Sequence, residues 1–382
     1  MGNPPYIFSR ELISLKDKDY FNTQFKLNTY ILFTELGVKI ANSNSSLSYI
    51  IPNNWLTLQK NSDFREYILK KGKKIVIIND RDKTFEDASV ESSILTFSRQ
   101  GNSTTVCYEM KEKTHQFISK VENKEYLNSG GSIINYGFYS DIETVGIVKK
   151  FLSKSVDMDT YFEVKNGVQA YTVGEGVPKL TKEMKDERVY HSNIKKAEDW
   201  KIYYDGSDIK RYNAVWSGQY IKYGINLSRR RTPELFEGDR ILVRQIPAKK
   251  PYSIVSTFIN NESVCDNNYY MVIRPKSDDY YSLTKVLSIL NSKPMRYWFV
   301  AVFAKNQRKL FPQFKVNELR VFPIPKLNNK LLNKYEIKVN QILSLKKENP
   351  KADTTALERE IDQMVYKLYN LTTEEIAIVE AS

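Results

Sequence analysis

A four-residue segment near the start of the chain, Asn3-Pro4-Pro5-Tyr6, carries groups that could hold an amino-substituted base. Proline fixes φ, lacks an N–H and disfavours a helical conformation at the preceding residue, so Asn3 and Pro4 are expected to be extended with their oxygens pointing outward. The Asn3 side-chain carbonyl and the Pro4 main-chain carbonyl could accept two hydrogen bonds from an exocyclic NH2 group, and the Tyr6 ring could stack on a purine that has left the duplex. The alternative is a stiff turn without chemistry, because Asn-Pro is common in turns.

Helices and strands are expected to alternate over the hundred residues that follow this segment. A polar break at 99–103 is where we place the end of this part of the chain. The spacing of apolar residues predicts two helices, at 26–39 and 63–71, and three strands, at 47–51, 74–78 and 93–97.

The Asn-Pro-Pro-Tyr segment resembles the catalytic motif of TaqI-like DNA adenine methyltransferases. The resemblance implies that Asn3, Pro4, Pro5 and Tyr6 form the catalytic motif, with Asn3 and Pro4 accepting hydrogen bonds from the adenine amino group and Tyr6 stacking on the flipped base. It also implies that Phe85 contacts that base from the other side and that S-adenosylmethionine donates the methyl group. Three further segments strengthen the resemblance, namely Lys26–Glu35 (KLNTYILFTE), Leu47–Leu56 (LSYIIPNNWL) and Thr84–Val90 (TFEDASV).

The chain departs from the family at its beginning. In these enzymes the half that binds S-adenosylmethionine precedes the Asn-Pro-Pro-Tyr motif, whereas here only one residue precedes Gly2. The pairs Gly130-Gly131 and Gly174/Gly176 do not follow the strand-to-helix pattern, with an acidic partner, that a cofactor loop requires. We therefore expect a C-terminal portion that works with an upstream polypeptide and is inactive in isolation.

The charge of the chain favours a nucleic-acid partner. The 382 residues include 58 Lys or Arg and 45 Asp or Glu, which gives a net charge of +13. Residues 201–330 alone hold 23 basic and 10 acidic side chains, and this local excess of +13 equals that of the whole chain. Such a segment would attract double-stranded DNA with a strongly salt-dependent affinity. A solvated basic face is the alternative.

The middle of the chain is expected to be an α+β target-recognition domain. Short β-like runs alternate with turns from about 141 to 325, and the segments Gly206–Tyr212, Arg240–Ile246 and Phe322–Pro325 resemble recognition domains of type I and type II modification systems. Arg211 could instead pair internally with Asp208. The side chains assigned to phosphates or guanine edges are Arg211, Arg229, Arg230, Arg231, Arg244, Lys249 and Lys250.

Helices are predicted at the end of the chain. One helix is expected over about 283–304, and a C-terminal helical hairpin begins at 331. Asp353 can cap the second helix of that hairpin, and Thr372 with Glu375 can form a capping box for a last short helix.

These observations predict an α/β chain that begins with the C-terminal half of a class I methyltransferase sheet. An α+β recognition domain and a C-terminal helical hairpin follow. The expected parts are the catalytic half at 1–103, a connecting region at 104–140, the recognition domain at 141–326 and the C-terminal helices at 327–382.

Cysteine and histidine are too rare to support a disulfide framework or a metal site. The chain has two cysteines, Cys107 and Cys265, and two isolated histidines. No apolar run approaches the 18 or so residues of a membrane span, and no secretory signal is recognisable. We expect a cytoplasmic protein without a membrane partner.

The sequence thus predicts a fragment or subunit of a site-specific DNA (adenine-N6) methyltransferase from a type IIG-like restriction-modification system. It would bind DNA and present a flipped adenine to S-adenosylmethionine. The alternatives are a DNA-binding specificity module without catalysis, an inactive gene remnant, or an unrelated basic RNA-binding protein.

Overall fold

The computed structural model forms two compact units, one of residues 1–146 with 300–310 and one of residues 147–299 with 311–382. Both helices and strands are present, which confirms a mixed α/β chain. Phe85 lies outside the described residues. These are 1–7, 28–80, 91–112, 114–128, 132–276, 283–303, 313–325 and 332–382.

The first unit contains a five-stranded sheet with the order β1-β3-β2-β4-β5. β3 runs antiparallel to both β1 and β2, and β4 runs parallel to β2. The carboxyl ends of β1, β2 and β4 therefore meet at one edge of the sheet. The strands are β1 (Ser46–Pro52), β2 (Lys74–Asp80), β3 (Ser92–Ser98), β4 (Thr104–Lys111) and β5 (Thr114–Glu122).

Alternating side chains bury one face of this sheet. Ile75 and Ile77 of β2 and Leu95 and Phe97 of β3 are buried, while the residues between them are only partly covered. The core also includes side chains from α1 (Thr29–Ile40), α2 (Ser62–Lys71) and α3 (Asn123–Leu127).

A buried arginine closes part of this core. The guanidinium of Arg65 in α2 donates to the carbonyls of Ser132, Trp55 and Leu58 at 3.0, 2.6 and 2.9 Å. Burial lowers its pKa to about 10, so the side chain stays charged at neutral pH. It satisfies three backbone acceptors that burial would otherwise leave without a donor.

The sheet continues past the predicted boundary at residue 103. Gly101 and Ser103 have positive φ and turn the chain between β3 and β4, and β4 and β5 then join the same sheet. Residues 104–122 are thus part of the first unit. Polar turn residues occur both in loops within a sheet and in linkers between domains, so composition could not separate the two cases.

The second unit begins near residue 147 and contains two four-stranded sheets. One has the order β14-β13-β16-β7 and is antiparallel throughout. The other has the order β15-β9-β12-β8. The strands of the first sheet are β7 (Phe162–Asn166), β13 (Arg240–Arg244), β14 (Ser256–Ile259) and β16 (Tyr270–Pro275). Those of the second are β8 (His191–Ser192), β9 (Trp200–Tyr204), β12 (Tyr220–Lys222) and β15 (Ser263–Cys265).

Two strand pairs and several helices complete this unit. α4 and α7 each lie partly in both units. The strand pairs are β6 (Ser155–Asp157) with β17 (Pro323–Pro325) and β10 (Ile209–Lys210) with β11 (Asn213–Ala214). The helices are α4 (Ile142–Ser153), α5 (Lys182–Asp186), α6 (Leu283–Leu290), α7 (Lys293–Val302), α8 (Val316–Arg320), α9 (Leu332–Glu348), α10 (Thr355–Leu368) and α11 (Thr373–Ala381).

The C-terminal helices α9, α10 and α11 belong to the second unit, and they correspond to the predicted hairpin and the last short helix. The predicted capping box is confirmed, because Thr372 Oγ1 accepts from the Glu375 N–H and Glu375 Oε2 accepts from the Thr372 N–H, at 3.3 and 2.7 Å. The Asp353 carboxylate accepts from the Thr355 N–H at 2.9 Å, but the N-cap residue of α10 is Thr354, one residue later than predicted.

The single helix predicted over 283–304 is divided into α6 and α7 at Asn291 and Ser292. The Asn291 side chain accepts from the Ser256 N–H and donates to the Ser256 carbonyl, at 3.0 and 2.9 Å. Pro294 disfavours a helical conformation at the residue before it and fits the first turn of a new helix. The hydrogen bonds between Asn291 and Ser256 of β14 thus accompany the end of α6, and Pro294 favours the start of α7.

Residues 300–303 pack with the first unit although they lie within the predicted recognition domain. The Asn135 side chain donates to the Val302 carbonyl at 3.1 Å. No helix within the described ranges is long and apolar enough to cross a bilayer.

Candidate active site and nucleic-acid interface

Gly2 extends the sheet next to β1. Its N–H donates to the Ser48 carbonyl at 2.9 Å, and its carbonyl accepts from the Ile50 N–H at 3.1 Å, which is a parallel pairing. A Cβ at Gly2 would lie only 2.9 Å from the ring of Tyr49, so a side chain does not fit without displacing that ring. Because the pairing is parallel, Asn3 leaves the sheet at the same edge as the carboxyl ends of β1, β2 and β4.

The Asn3–Tyr6 loop has several open acceptors, among them the Asn3 amide oxygen and the Pro4 carbonyl. Asn3 is exposed and Pro4 is buried. The carbonyl of Pro5 accepts from the Thr29 hydroxyl, and the hydroxyl of Tyr6 donates to the Ile50 carbonyl at 2.9 Å. No described residue donates to the Asn3 amide oxygen or the Pro4 carbonyl. These are the two oxygens that the sequence predicts to accept hydrogen bonds from the adenine amino group.

Tyr6 is held by an aromatic cluster. Its ring contacts Tyr30 edge-on with centroids 6.2 Å apart, and Tyr30 contacts Phe64 in the same way at 6.4 Å. Burial raises the pKa of Tyr6, so its hydroxyl remains protonated and can keep donating to Ile50. The cluster and the hydrogen bond to Ile50 together hold the Tyr6 ring in place.

A buried polar network, which the sequence did not predict, lies at the same edge. The Asn53 side chain donates to Asn79 Oδ1 at 3.0 Å and to Glu91 Oε2 at 2.9 Å. Asn79 donates to the Tyr136 hydroxyl at 2.7 Å, and Tyr136 donates to Glu109 Oε1 at 3.1 Å. The pair Asn53-Asn54 directly after a strand could have indicated a polar site at this edge. The partners of Asn53 are distant in sequence, so the network itself could not be predicted.

Arg211 has an internal role. Its guanidinium forms an ion pair with Glu358 at 2.6 Å, donates to the Asn291 carbonyl at 2.8 Å and lies 3.6 Å from the centre of the Tyr252 ring. The sequence left open an internal pair with Asp208, but the partner is Glu358. Asp208 instead accepts from the Asp205 N–H at 3.0 Å and shapes the turn. Arg211 is thus engaged inside the protein, and we expect no DNA contact from it.

The three arginines at 229–231 divide into two kinds. Arg229 and Arg230 are exposed. Arg231 has a φ of +63° and donates from Nε to the Gly167 carbonyl at 3.1 Å, and its own carbonyl accepts from the Tyr223 hydroxyl at 3.1 Å. Burial lowers the pKa of Arg231. Arg231 thus anchors the segment that presents its two neighbours to solvent.

The other expected contacts lie on and after β13. Arg244 is half-buried at the end of the strand, and Lys249 and Lys250 are exposed in the loop that follows. Other basic groups of the segment are structural: Arg240 is fully buried and donates to the carbonyls of Gly238, Asn261 and Ser263 at 2.8, 2.8 and 2.9 Å. The positive charge available to a ligand is therefore smaller than the composition indicates.

The glycines Gly174 and Gly176 do not form a cradle for S-adenosylmethionine. Gly174 and Gly176 lie in a turn of the second unit, and a Cβ at Gly176 would be 2.5 Å from the Asn226 carbonyl, so this glycine approaches backbone rather than a ligand. Gly130 and Gly131 lie outside the described residues. A cavity of about 300 Å³ between Ser46, Lys74 and Ser98 lies at the amino ends of β1 and β2, away from Asn3. Within the described ranges no group of three His, Cys, Asp or Glu side chains could hold a metal ion.

Two family models match separate parts of this chain. Residues 1–85 match the Eco57I restriction-modification methylase, and residues 201–324 match the TaqI-like C-terminal specificity domain. The predicted resemblance is confirmed. The chain is similar to restriction-modification methylases and to TaqI-like specificity domains.

A protein of Methanocaldococcus jannaschii, RM.MjaORFECS2P, is similar over nearly the whole chain. Its name describes a type II restriction enzyme and methyltransferase, and it is 23% identical over 97% of this chain and 31% of its own length. The chain thus spans about a third of that relative.

A solved structure shares the fold of this chain. It is that of the Type IIL restriction-modification enzyme MmeI in complex with DNA, with a TM-score of 0.62 and 12% identity. The match covers 99% of this chain and 55% of that one. At this identity the likeness concerns the fold alone.

Proposed function

We propose that this chain is the DNA-binding and base-presenting part of a site-specific DNA (adenine-N6) methyltransferase in a restriction-modification system. The observation that carries the proposal is the pair of open acceptors, the Asn3 amide oxygen and the Pro4 carbonyl, at the carboxyl edge of the sheet. An adenine amino group has two hydrogens to donate, and these two oxygens could take both.

The strand directions support a methyltransferase sheet. β3 runs antiparallel between β1 and β2, which point the same way, and Gly2 adds a parallel neighbour to β1. We interpret this arrangement as the C-terminal half of a class I methyltransferase sheet. Ligands of open α/β sheets bind beyond the carboxyl ends of the strands, which is where Asn3 emerges.

The proposed role of the loop is to prepare the amino group. Hydrogen bonds from the amino hydrogens to Asn3 and Pro4 would draw the nitrogen lone pair out of conjugation with the ring and orient it. Tyr6 would provide an aromatic surface for the extruded base, and Phe85 would contact it from the other side. S-adenosylmethionine would supply an electrophilic methyl group.

The second unit would locate the target sequence. The match of residues 201–324 to a specificity domain supports this role. We assign DNA contacts to the exposed side chains and, at the edge of the same surface, to the half-buried Arg244. The exposed side chains are Arg229, Arg230, Lys249 and Lys250. Phosphate contacts by these side chains would position the duplex, and any contact with guanine edges would add sequence preference.

The test combines this chain with a polypeptide that carries a cofactor-binding half, fused to it or supplied in trans. We call this combination the completed enzyme. It is incubated with labelled S-adenosylmethionine and duplex DNA, and the DNA is digested to nucleosides. We expect the label in N6-methyldeoxyadenosine. Label in methylated cytosine, or none in an enzyme that binds both ligands, would contradict the proposal.

The match to a specificity domain also favours a second candidate, a DNA-binding specificity module without catalysis. Such a module would bind duplex DNA with sequence preference, yet the completed enzyme would not methylate it. An inactive remnant or an RNA-binding protein would show no sequence preference for duplex DNA.

A further inference from the structure

We propose that Thr29, the first residue of α1, is the positioning residue that holds the Asn3–Tyr6 loop in the shape required for methyl transfer. The inference rests on the proposed function, since it assigns a role within that site. Thr29 touches neither the base nor the methyl donor in this account. It acts through the backbone of Pro5 and Ile7.

The contacts of Thr29 join two segments that are more than twenty residues apart in sequence. Its hydroxyl donates to the Pro5 carbonyl and accepts from the Ile7 N–H at 2.9 Å. Its own N–H donates to the Ile7 carbonyl at 3.0 Å. A threonine hydroxyl has one hydrogen to donate and can accept in return, and both capacities are used here.

The loop needs such an external partner because of its composition. Pro4 and Pro5 have no N–H, so the loop cannot fix itself with a turn hydrogen bond from either residue. Hydrogen bonds from outside must therefore hold its carbonyls. Ile50 holds the carbonyl of Gly2, and Thr29 holds those of Pro5 and Ile7.

This distribution of donors leaves the proposed catalytic acceptors open while it fixes the carbonyls on either side of them. With the carbonyls of Gly2, Pro5 and Ile7 engaged, the Pro4 carbonyl and the Asn3 amide remain open among the described residues. Without the Thr29 hydroxyl, the Pro5 carbonyl would also be open. The Pro5–Tyr6 peptide could then rotate. The loop would change shape, and the Pro4 oxygen would move away from the adenine amino group.

The core holds Thr29 in place through the residue next to it. Tyr30 is buried, its hydroxyl donates to Asn54 Oδ1 at 3.1 Å, and its ring contacts Tyr6 edge-on. The start of α1 is thus fixed relative to β1 and to the aromatic side of the site. The hydrogen bonds of Thr29 with Pro5 and Ile7 then hold the loop relative to this fixed helix start.

The experiment compares Thr29→Val and Thr29→Ser in the completed enzyme, with steady-state methylation and DNA binding as readouts. Valine keeps the β-branched shape and removes the hydroxyl, whereas serine keeps the hydroxyl. We expect Thr29→Val to lower kcat by about 10- to 100-fold, the scale of a misplaced reacting group. The KM for DNA should stay within about twofold, and Thr29→Ser should restore most of kcat, because only the hydrogen bonds place the loop.

Thr34→Val is the matched control on the same helix. Thr34 is fully buried and its hydroxyl donates only to its own helix, at the Tyr30 carbonyl, at 2.7 Å. Its substitution should leave kcat unchanged. Thr29→Ala serves as a second variant if Thr29→Val fails to fold, because alanine also removes the hydroxyl and has the highest helix propensity.

The outcomes separate this inference from the proposed function. If Asn3→Ala loses methylation while both Thr29→Val and Thr29→Ala keep the wild-type kcat, the positioning role is wrong and the proposed function stands. If Thr29→Ser is as impaired as Thr29→Val, the hydroxyl is not the cause and the inference is also overturned. If Asn3→Ala methylates at the wild-type rate, the proposed function itself fails.

Discussion

The side chain of Arg231 is bound to the Gly167 carbonyl, while Arg229 and Arg230 beside it face solvent. An exposed guanidinium next to an anchored backbone has a defined position and an unused charge, which suits a phosphate contact. An arginine that is bound to a protein carbonyl contributes to the shape of the loop instead. The three residues should therefore respond differently to substitution.

We predict that the double variant Arg229→Gln/Arg230→Gln binds duplex DNA more weakly. If each arginine neutralises one phosphate, the slope of log affinity against log salt should become shallower by about 2. Fluorescence anisotropy at several salt concentrations measures this slope. Arg231→Met is the control, and it should lower the melting temperature with a smaller change in the slope. An unchanged affinity of the double variant at low salt would contradict the assignment.

Among the secondary-structure elements, the β10–β11 hairpin is joined to α10 by an ion pair. Arg211 of the hairpin pairs with Glu358 of α10, and the Asp362 carboxylate one turn later accepts from the Tyr252 hydroxyl and from the Lys293 N–H at 3.0 and 2.9 Å. Helix α10 therefore contacts the β10–β11 hairpin and Tyr252 directly. Burial raises the pKa of Asp362 to about 6, although both hydrogen bonds act in the opposite direction.

This shifted pKa predicts a pH-dependent stability. An Asp with a folded-state pKa near 6 and an unfolded value near 4 binds its proton more tightly when folded, so its ionisation destabilises the fold as pH rises between these values. Asp362→Asn removes that ionisation. The melting temperature of the variant relative to wild type should rise between pH 5 and 7.5, by the equivalent of roughly 1–3 kcal/mol. A relative melting temperature that is constant or falls with pH would contradict this.

The elements that the sequence predicted correctly are those whose pattern is local. The strands at 46–52, 74–80 and 92–98 and the helices at 29–40 and 62–71 follow from alternating or helical apolar spacing. The division between α6 and α7 depends on the contact of Asn291 with Ser256, which are 35 residues apart. The membership of β4 in the first sheet depends on its pairing with β2. Such partners are not encoded in a local window of sequence.

The same distinction applies to the site. The Asn3–Tyr6 segment was recognisable because its chemistry lies in four adjacent residues. The role of Thr29 and the network around Asn53 depend on tertiary contacts, as does the pairing of Arg211 with Glu358 rather than with the nearby Asp208. The charge of residues 201–330 likewise could not distinguish exposed Arg230 from buried Arg240.

For the molecule as a whole, we predict that the isolated chain binds S-adenosylmethionine weakly or not at all. The reason is that Gly174 and Gly176, the described glycines considered for a cofactor loop, lie in a turn of the second unit, and a Cβ at Gly176 would be 2.5 Å from the Asn226 carbonyl. Isothermal titration with the cofactor measures this directly, and the completed enzyme is the positive control. Micromolar binding by the isolated chain would mean that its own residues form a cofactor site.

The central claim is that the open acceptors of Asn3 and Pro4 bind the target amino group. Its most direct test is the single-turnover rate of methyl transfer by the completed enzyme with Asn3→Ala, compared with wild type at saturating DNA and cofactor. Loss of one preorganised hydrogen-bond partner in a transition state typically costs about two to three orders of magnitude in rate, and we predict a loss of that size with DNA affinity retained. A variant that transfers methyl groups at the wild-type rate would show that Asn-Pro-Pro-Tyr is a structural turn.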